Sequence, residues 1–191
     1  FIMQHPEQTY AQLQQWAVHD NAHLRRLVSE GSRPRLPWAP RLPLYQHDPS
    51  PVIALLEQLK DDSVRYVQRS VANNINDISK DHADRAVALC RSWMKDPSPG
   101  RSWIIKHALR SLVKQGHPGA LALIGARQKP DLSIGPVTLT PARPKIGDTL
   151  VMSFGIRSKA KTAQDLLIDF TVFFMKANGK HGRKVFKLKR L

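Results

Sequence analysis

The sequence predicts two unlike domains in tandem, an all-α domain of stacked helix pairs over residues 1–126 and an incomplete β-sandwich over residues 127–191. Three observations carry this. Up to about residue 124, apolar side chains recur at steps of three and four, the period of a helix that buries one face. Beyond residue 131 they alternate with polar ones, the period of a strand. The charge balance changes at the same place. Of a net +15, residues 1–126 hold 16 basic and 11 acidic side chains, and the remainder holds 14 and 4.

Each element follows from its own pattern. Glu7 to His19 reads as a helix with Tyr10, Leu13, Trp16 and Ala17 at helical spacing, and Asn21 to Glu30 as a second, stopped by Gly31 and the prolines after it. Pro51 to Lys60 forms a third. Asp62 to Lys80 is the clearest, with Val64, Val67, Val71, Ile75 and Ile78 stepping 3, 4, 4, 3. Asp84 to Lys95, Arg101 to Lys114 and Pro118 to Ile124 complete the series. Short helix pairs bury their faces only by stacking, which gives a curved solenoid. HEAT-like repeats fit best, and a compact helical bundle is the alternative. In the second region Val137–Thr140, the alternating Leu150, Met152, Phe154 and Ile156, the apolar Leu167–Met175 and Val185–Leu188 read as strands, the last two joined by an Asn178-Gly179 hairpin. Four or so strands suggest an immunoglobulin-like sandwich without its cysteine pair.

Composition narrows the function classes. A 41% hydrophobic content supports a core. No run approaches the roughly 18 apolar residues of a membrane span, and no signal peptide is visible. The single cysteine, Cys90, lies in an aliphatic helix and reads as a small buried hydrophobe, so no internal disulfide framework is possible. The excess of 30 basic over 15 acidic residues favours a polyanionic partner. A start at Phe1-Ile2-Met3 and an end in a strand pattern are read as the cut ends of a longer protein.

The segment Ser29–Pro43 is the most informative. Pro34, Pro37, Pro40 and Pro43 recur every third residue, the period of a polyproline II helix, which would place Arg35, Trp38 and Arg41 on one face. Such a segment is either a stiff support for a site or a PxxP-type docking ligand. Basic stripes lie on the second helix of successive pairs: Arg25 and Arg26, then Arg65 and Arg69, then Lys106, Arg110 and Lys114. Residues four apart share a helix face, so stacked pairs would ridge one surface with cations suited to a phosphate backbone. Asn73, Asn74 and Asp77 sit mid-helix at a cost in propensity, which points either to a purpose or to a helix-to-helix hydrogen bond. Trp16 and Asp20 form a Trp-x3-Asp pair, with a core position for Trp16 as the plainer reading. His19 and His23 are four apart without an evident third ligand, so no metal is expected.

The block Ser29-Glu30-Gly31-Ser32-Arg33-Pro34-Arg35-Leu36-Pro37-Trp38, preceded by His23–Leu27, resembles the AlkC group of bacterial DNA alkylation repair glycosylases. Val71–Asp81 and Trp103–Arg110, continuing through Lys114–Pro118, agree with it, so the resemblance runs through about residues 5–126. The β-domain resembles that group's immunoglobulin-like appendage, with weaker motifs. The resemblance implies a HEAT-like domain that grips duplex DNA. It implies hydrolysis of the N-glycosidic bond of cationic alkylated bases, such as 3-methyladenine and 3-methylcytosine, by a monofunctional and monomeric enzyme that does not flip the base into a deep pocket. It implies no cofactor, no membrane, and a cytoplasmic, nucleoid-associated location. Carried over residue by residue, Glu30, Asp77 and Trp38 are the expected catalytic residues. Arg25, Arg26, Arg33, Arg65, Arg69, Lys106 and Arg110 are the expected DNA contacts, and Trp16 and Asp20 the secondary candidates, by likeness to the tryptophan–aspartate pair of the related AlkD group. The group also uses a glutamate N-terminal to this stretch, so the chain is expected to bind DNA and to need that region for activity. The alternative is a non-enzymatic HEAT-repeat scaffold or nucleic-acid-binding protein with a proline-rich docking loop.

Overall fold

The computed structural model describes residues 1–126, 130–164 and 166–190. The change of pattern expected at Arg127 lies outside the described residues. The chain divides into two compact units, Phe1–Ile124 and Gly125–Leu191.

Among the described residues the first unit is built of nine helices: α1 (Pro6–Ala17), α2 (Ala22–Gly31), α3 (Pro43–His47), α4 (Ser50–Leu59), α5 (Arg65–Ile78), α6 (Ala83–Trp93), α7 (Pro99–Ala108), α8 (Arg110–Gln115) and α9 (Pro118–Leu123). Their starts are written in side chains. The Asn21 carboxamide accepts the His23 N–H at 2.8 Å and the Ser98 hydroxyl accepts that of Arg101 at 3.1 Å, each satisfying a donor that a helix N-terminus leaves free. Pro6, Pro43, Pro51, Pro99 and Pro118 occupy first-turn positions, where the missing N–H costs nothing.

Helix α5 is the hub and packs against α2, α4, α6 and α7. Val67, Val71 and Ile75 are fully buried, each worth roughly 2 kcal/mol of apolar burial. Its polar residues face inward too. Asn74 Nδ2 donates to the Ser29 carbonyl at 2.7 Å and to Ser32 Oγ at 3.1 Å, tying α5 to the end of α2. Asn76 Nδ2 donates to the Ala108 carbonyl at 2.7 Å, tying α5 to α7. For Asn74 and Asn76 the cost of an amide in mid-helix is therefore offset by bonds between helices.

Three expectations are corrected. The single helix expected over Arg101–Lys114 is two, α7 and α8, because the backbone leaves helical geometry at Leu109 (φ −81°, ψ 0°). Helix α3, absent from the sequence reading, follows the proline segment directly. That segment itself is not an extended polyproline II helix. Eight residues of such a helix would span about 25 Å, yet the Leu42 N–H donates to the Pro34 carbonyl at 3.2 Å, so the chain doubles back. Trp38 stands at φ 64°, outside the polyproline region altogether. Proline fixes only its own φ, and the residues between are free to turn.

Among the described residues the second unit holds three antiparallel strand pairs. β1 (Leu132–Ile134) pairs with β4 (Ile156–Ser158), β2 (Thr138–Thr140) with β3 (Val151–Ser153), and β5 (Leu167–Met175) with β6 (His181–Arg190). The alternation of Leu150 to Ile156, read as one strand, is split at Phe154-Gly155, where the chain leaves β2 for β1 and the Gly135 N–H donates to the Gly155 carbonyl at 2.8 Å. The Asn178-Gly179 hairpin forms, with Gly179 at φ 74° supplying the left-handed position. No helix among the described residues is long and apolar enough to cross a membrane.

Candidate nucleic-acid interface and excision site

Two carboxylates sit where helix geometry disfavours them. Glu30 is the penultimate residue of α2 and Asp77 the penultimate residue of α5. The partial negative charge of a helix C-terminus repels an anion there, by about 0.3–1 kcal/mol at an exposed end. Both are held by one guanidinium. Arg33 Nη1 donates to Glu30 Oε1 at 2.8 Å, and Arg33 Nε donates to Asp77 Oδ2 at 2.8 Å. The remaining lone pairs are also used. Ser70 Oγ donates to Glu30 Oε2 at 2.7 Å, Arg26 Nη2 stands 3.6 Å from the same oxygen, and Lys80 Nζ donates to Asp77 Oδ1 at 2.8 Å. Burial works against the charged Arg33, but the hydrogen bonds and charges of Asp77 and Glu30 outweigh it and raise its pKa above the ordinary guanidinium value.

The two carboxylates differ in access. The Asp77 side chain is 2% exposed and that of Glu30 is 17% exposed. A ligand at the surface therefore meets Glu30 first, while Asp77 faces inward as the counter-charge of Arg33. Trp38, the third expected catalytic residue, is fully exposed at the tip of the Pro34–Leu42 loop and makes no bond to the carboxylates. A bulky residue at positive φ is rare and strained.

The expected DNA contacts divide into two groups. Arg33 is buried and Arg25 half-buried, and both are paired with carboxylates. Arg25 Nε and Nη2 reach Asp62 at 2.6 and 3.2 Å, and its Nη1 donates to the His19 and Asp20 carbonyls. Arg33, as described, is spent between two carboxylates. Arg26, Arg65, Arg69, Lys106 and Arg110, carried by α2, α5, α7 and α8, form the second group. Arg26 lies 4.9 Å over the Tyr66 ring and Arg65 lies 4.2 Å over Trp103. Arg69 and Lys106 are exposed and form no ion pair among the described residues. Arg110 donates to the His107 carbonyl at 2.6 Å and to Asn73 Oδ1 at 3.0 Å. Desolvation and the charge of Arg33 lower its pKa, against a pull from Asp77 that raises it. Trp16 is half-buried and Asp20 exposed, the latter bonded through its backbone to Arg25.

Sequence reasoning missed Ser70 as the partner of Glu30, Lys80 as the partner of Asp77, and Arg33 as the bridge between the two acids. The Glu30–Arg33 spacing of three was the available signal, since the turn that closes α2, with the Arg33 N–H on the Glu30 carbonyl at 3.3 Å, brings residues three apart together.

His107 adds a titrating group. It stacks on Trp103 with centroids 4.8 Å apart. Burial first, then the charges of Arg110 and Arg69, push its pKa below the ordinary imidazole value. The unfolded chain thus binds the proton more readily than the fold does. The stability linked to neutral His107 is complete above the ordinary value and is lost as pH falls from there through the folded-state value. Urea unfolding at pH 7 and pH 5 should show a smaller drop in stability for His107→Gln than for the native chain.

With that geometry in place, known proteins supply the comparison. Residues 133–191 match the family model described as "Uncharacterised protein YhaZ, C-terminal Ig-like domain". The chain is 44% identical over 188 residues to the Uncharacterized protein YhaZ of Bacillus subtilis (strain 168), covering 98% of this chain and 52% of that protein. It matches the solved structure of Pseudomonas fluorescens alkylpurine DNA glycosylase AlkC, bound to DNA containing an abasic site analog, with a TM-score of 0.94 and 43% identity over 100% of this chain. The chain is AlkC-like in sequence and in fold. Its fold is the AlkC-like one, helical repeats followed by an immunoglobulin-like domain. The chain spans about half the length of the relatives it matches, covering 52% of the Bacillus protein and 53% of the Pseudomonas chain.

Proposed function

We propose that this AlkC-like chain carries the DNA-gripping and base-excising surface of a DNA repair glycosylase. The reaction is hydrolysis of the N-glycosidic bond of cationic alkylated bases, such as 3-methyladenine and 3-methylcytosine, in duplex DNA. The enzyme works as a monofunctional monomer in the cytoplasm and without swinging the base into a deep pocket. The observation that carries the reading is the pair of carboxylates, Glu30 and Asp77, held by Arg33 against the charge preference of two helix ends.

The chemistry suits those groups. A base alkylated at N3 is positively charged and leaves readily, so neither a metal nor an organic cofactor is required. Departure leaves an oxocarbenium-like sugar, as in glycoside hydrolysis. Glu30, the more accessible carboxylate, stabilises that cation and orients or deprotonates the attacking water. Asp77 acts through Arg33, fixing the guanidinium that in turn fixes Glu30. Trp38 contacts the lesion, where an indole face against a cation contributes about 0.5–2 kcal/mol. Arg26, Arg65, Arg69, Lys106 and Arg110 bind phosphates, and the basic β-domain adds a second contact.

Two measurements test the reading. The 191-residue chain should bind a duplex containing an abasic site analog, with affinity falling steeply as salt rises from 50 to 200 mM, by about 10³-fold or more for six phosphate contacts. A form extended to the relatives' full length should release free base from alkylated duplex, followed by chromatography of the released base. Flat salt dependence or no released base overturns the proposal.

A further inference from the structure

The loop that carries Trp38 is fastened by two rungs, one to α5 and one to the turn after it. Arg33 and Arg35 are two apart on the loop, and Asp77 and Asp81 are four apart, in the last turn of α5 and in the turn that follows it. Arg33 grips Asp77 as described. Arg35 Nε donates to Asp81 Oδ2 at 2.7 Å and Arg35 Nη2 to Asp81 Oδ1 at 2.5 Å, the two-pronged geometry that fixes direction as well as distance. With its amide oriented to accept, Gln46 Oε1 receives Arg35 Nε at 3.2 Å and Nη2 at 3.1 Å. The Gln46 carbonyl is in turn 2.8 Å from His82 Nε2, so the far side of the loop is joined to the start of α6. The Leu42 N–H closes the loop on the Pro34 carbonyl.

The first rung belongs to the carboxylate cluster. The second touches neither Glu30 nor Asp77, and its side chains are about one quarter exposed, Arg35 at 25% and Asp81 at 22%. The hydrogen bonds from Arg35 hold the Asp81 carboxyl below the usual carboxylate range, against an opposing effect of burial. What the second rung does control is where the loop points. Between the rungs and the Leu42 closure lie only Leu36 to Arg41, and the strained Trp38 is their tip. An unfastened loop would relax an indole at φ 64° toward negative φ and swing it away.

We propose that Arg35 and Asp81 are positioning residues for Trp38, a clamp that sets the direction of the indole toward damaged DNA. This rests on the proposed function, in which Trp38 meets the lesion. The clamp is separable from any direct contact of Arg35 with phosphate, because removing the Asp81 charge opens the clamp while leaving the arginine in place.

The experiment uses the 191-residue chain and two duplexes, one with an abasic site analog and one undamaged. The readout is the ratio of the two affinities, together with hydrogen exchange at the Leu42 amide. Trp38→Ala should lower the ratio about tenfold. Asp81→Asn and Arg35→Met should lower it by a similar factor and speed Leu42 exchange, and Asp81→Asn should leave affinity for undamaged duplex equal or higher. Adding Asp81→Asn to Trp38→Ala should lower the ratio no further. Exchanging the pair, Arg35→Asp with Asp81→Arg, should restore both readouts. A native chain that prefers damaged duplex, with Asp81→Asn keeping that preference and the Leu42 protection, overturns the clamp alone. A native chain with no preference overturns the proposed function and the clamp together.

Discussion

Glu30→Gln is expected to lower base release by about 10²–10⁴-fold, the range associated with a positioned acid–base group, with duplex affinity unchanged or raised. The amide has the shape of the carboxyl. Its oxygen still accepts from Arg33 Nη1, and the Ser70 hydroxyl, which now donates to Glu30 Oε2, rotates to accept from the new NH2. Little of the fold is disturbed, since Glu30 lies at a helix end where a neutral side chain is preferred. On the proposed chemistry, what disappears is the negative charge that faces the sugar as the base departs. The substituted protein also presents one more net positive charge to the phosphates, which works toward tighter binding. Free base measured by chromatography and duplex affinity measured by fluorescence anisotropy separate the two effects. An unchanged release rate would remove Glu30 from the chemistry.

Helix α5 was legible from the sequence because its apolar side chains step 3, 4, 4, 3, a pattern no strand produces. Its boundaries were drawn wide because Asp62, which accepts the Val64 N–H at 2.9 Å, and Lys80, which reaches Asp77, bracket the helix with charged groups that read as part of it. Helix α3 was invisible. Five residues behind a run of prolines give no period to count. The break at Leu109 was hidden for the opposite reason, because apolar spacing continues through it while only the backbone departs. The β-domain's partner switch at Phe154-Gly155 likewise preserves the alternation and changes only which strand is paired.

The site was legible in its residues and not in its wiring. Block resemblance selected Glu30, Trp38 and Asp77, yet spacing placed Arg25 in a phosphate-facing stripe and Arg33, from the same block as Glu30, was expected to contact DNA. A helical wheel locates the Cβ atom. A long arginine then chooses among acceptors within about 7 Å, and both these residues found carboxylates from distant parts of the chain, Asp62 and Asp77. The Asp62 and Asp77 side chains are 3% and 2% exposed, and a carboxylate so placed holds an arginine against its surface preference because leaving the buried charge alone costs several kcal/mol. The polyproline reading failed on similar ground: the prolines constrain a third of the residues, and the closure at Leu42 with the grip of Asp81 on Arg35 decides the rest.

Asp77 is where stability and function should come apart. Asp77→Ala strands Arg33 with one partner in a site where the pair's side chains are 9% and 2% exposed. Breaking such a pair costs about 3–5 kcal/mol, which for a domain of this size lowers Tm by on the order of 10–20 °C. Base release falls with it, so this single change does not reveal whether Asp77 serves the fold or the chemistry. The double change Arg33→Met with Asp77→Leu does. Replacing both ions by apolar groups of similar volume removes the desolvation cost along with the attraction and is expected to bring Tm back to within a few degrees of the native chain. Glu30 then keeps Ser70 and Arg26 but loses its closest cation, and the carboxylate is free to turn. Thermal unfolding should therefore recover while base release stays depressed by about 10²-fold, the cost of a misplaced reacting group. Recovery of both would mean that the Arg33–Asp77 pair is scaffolding, and that Glu30 finds its position without it.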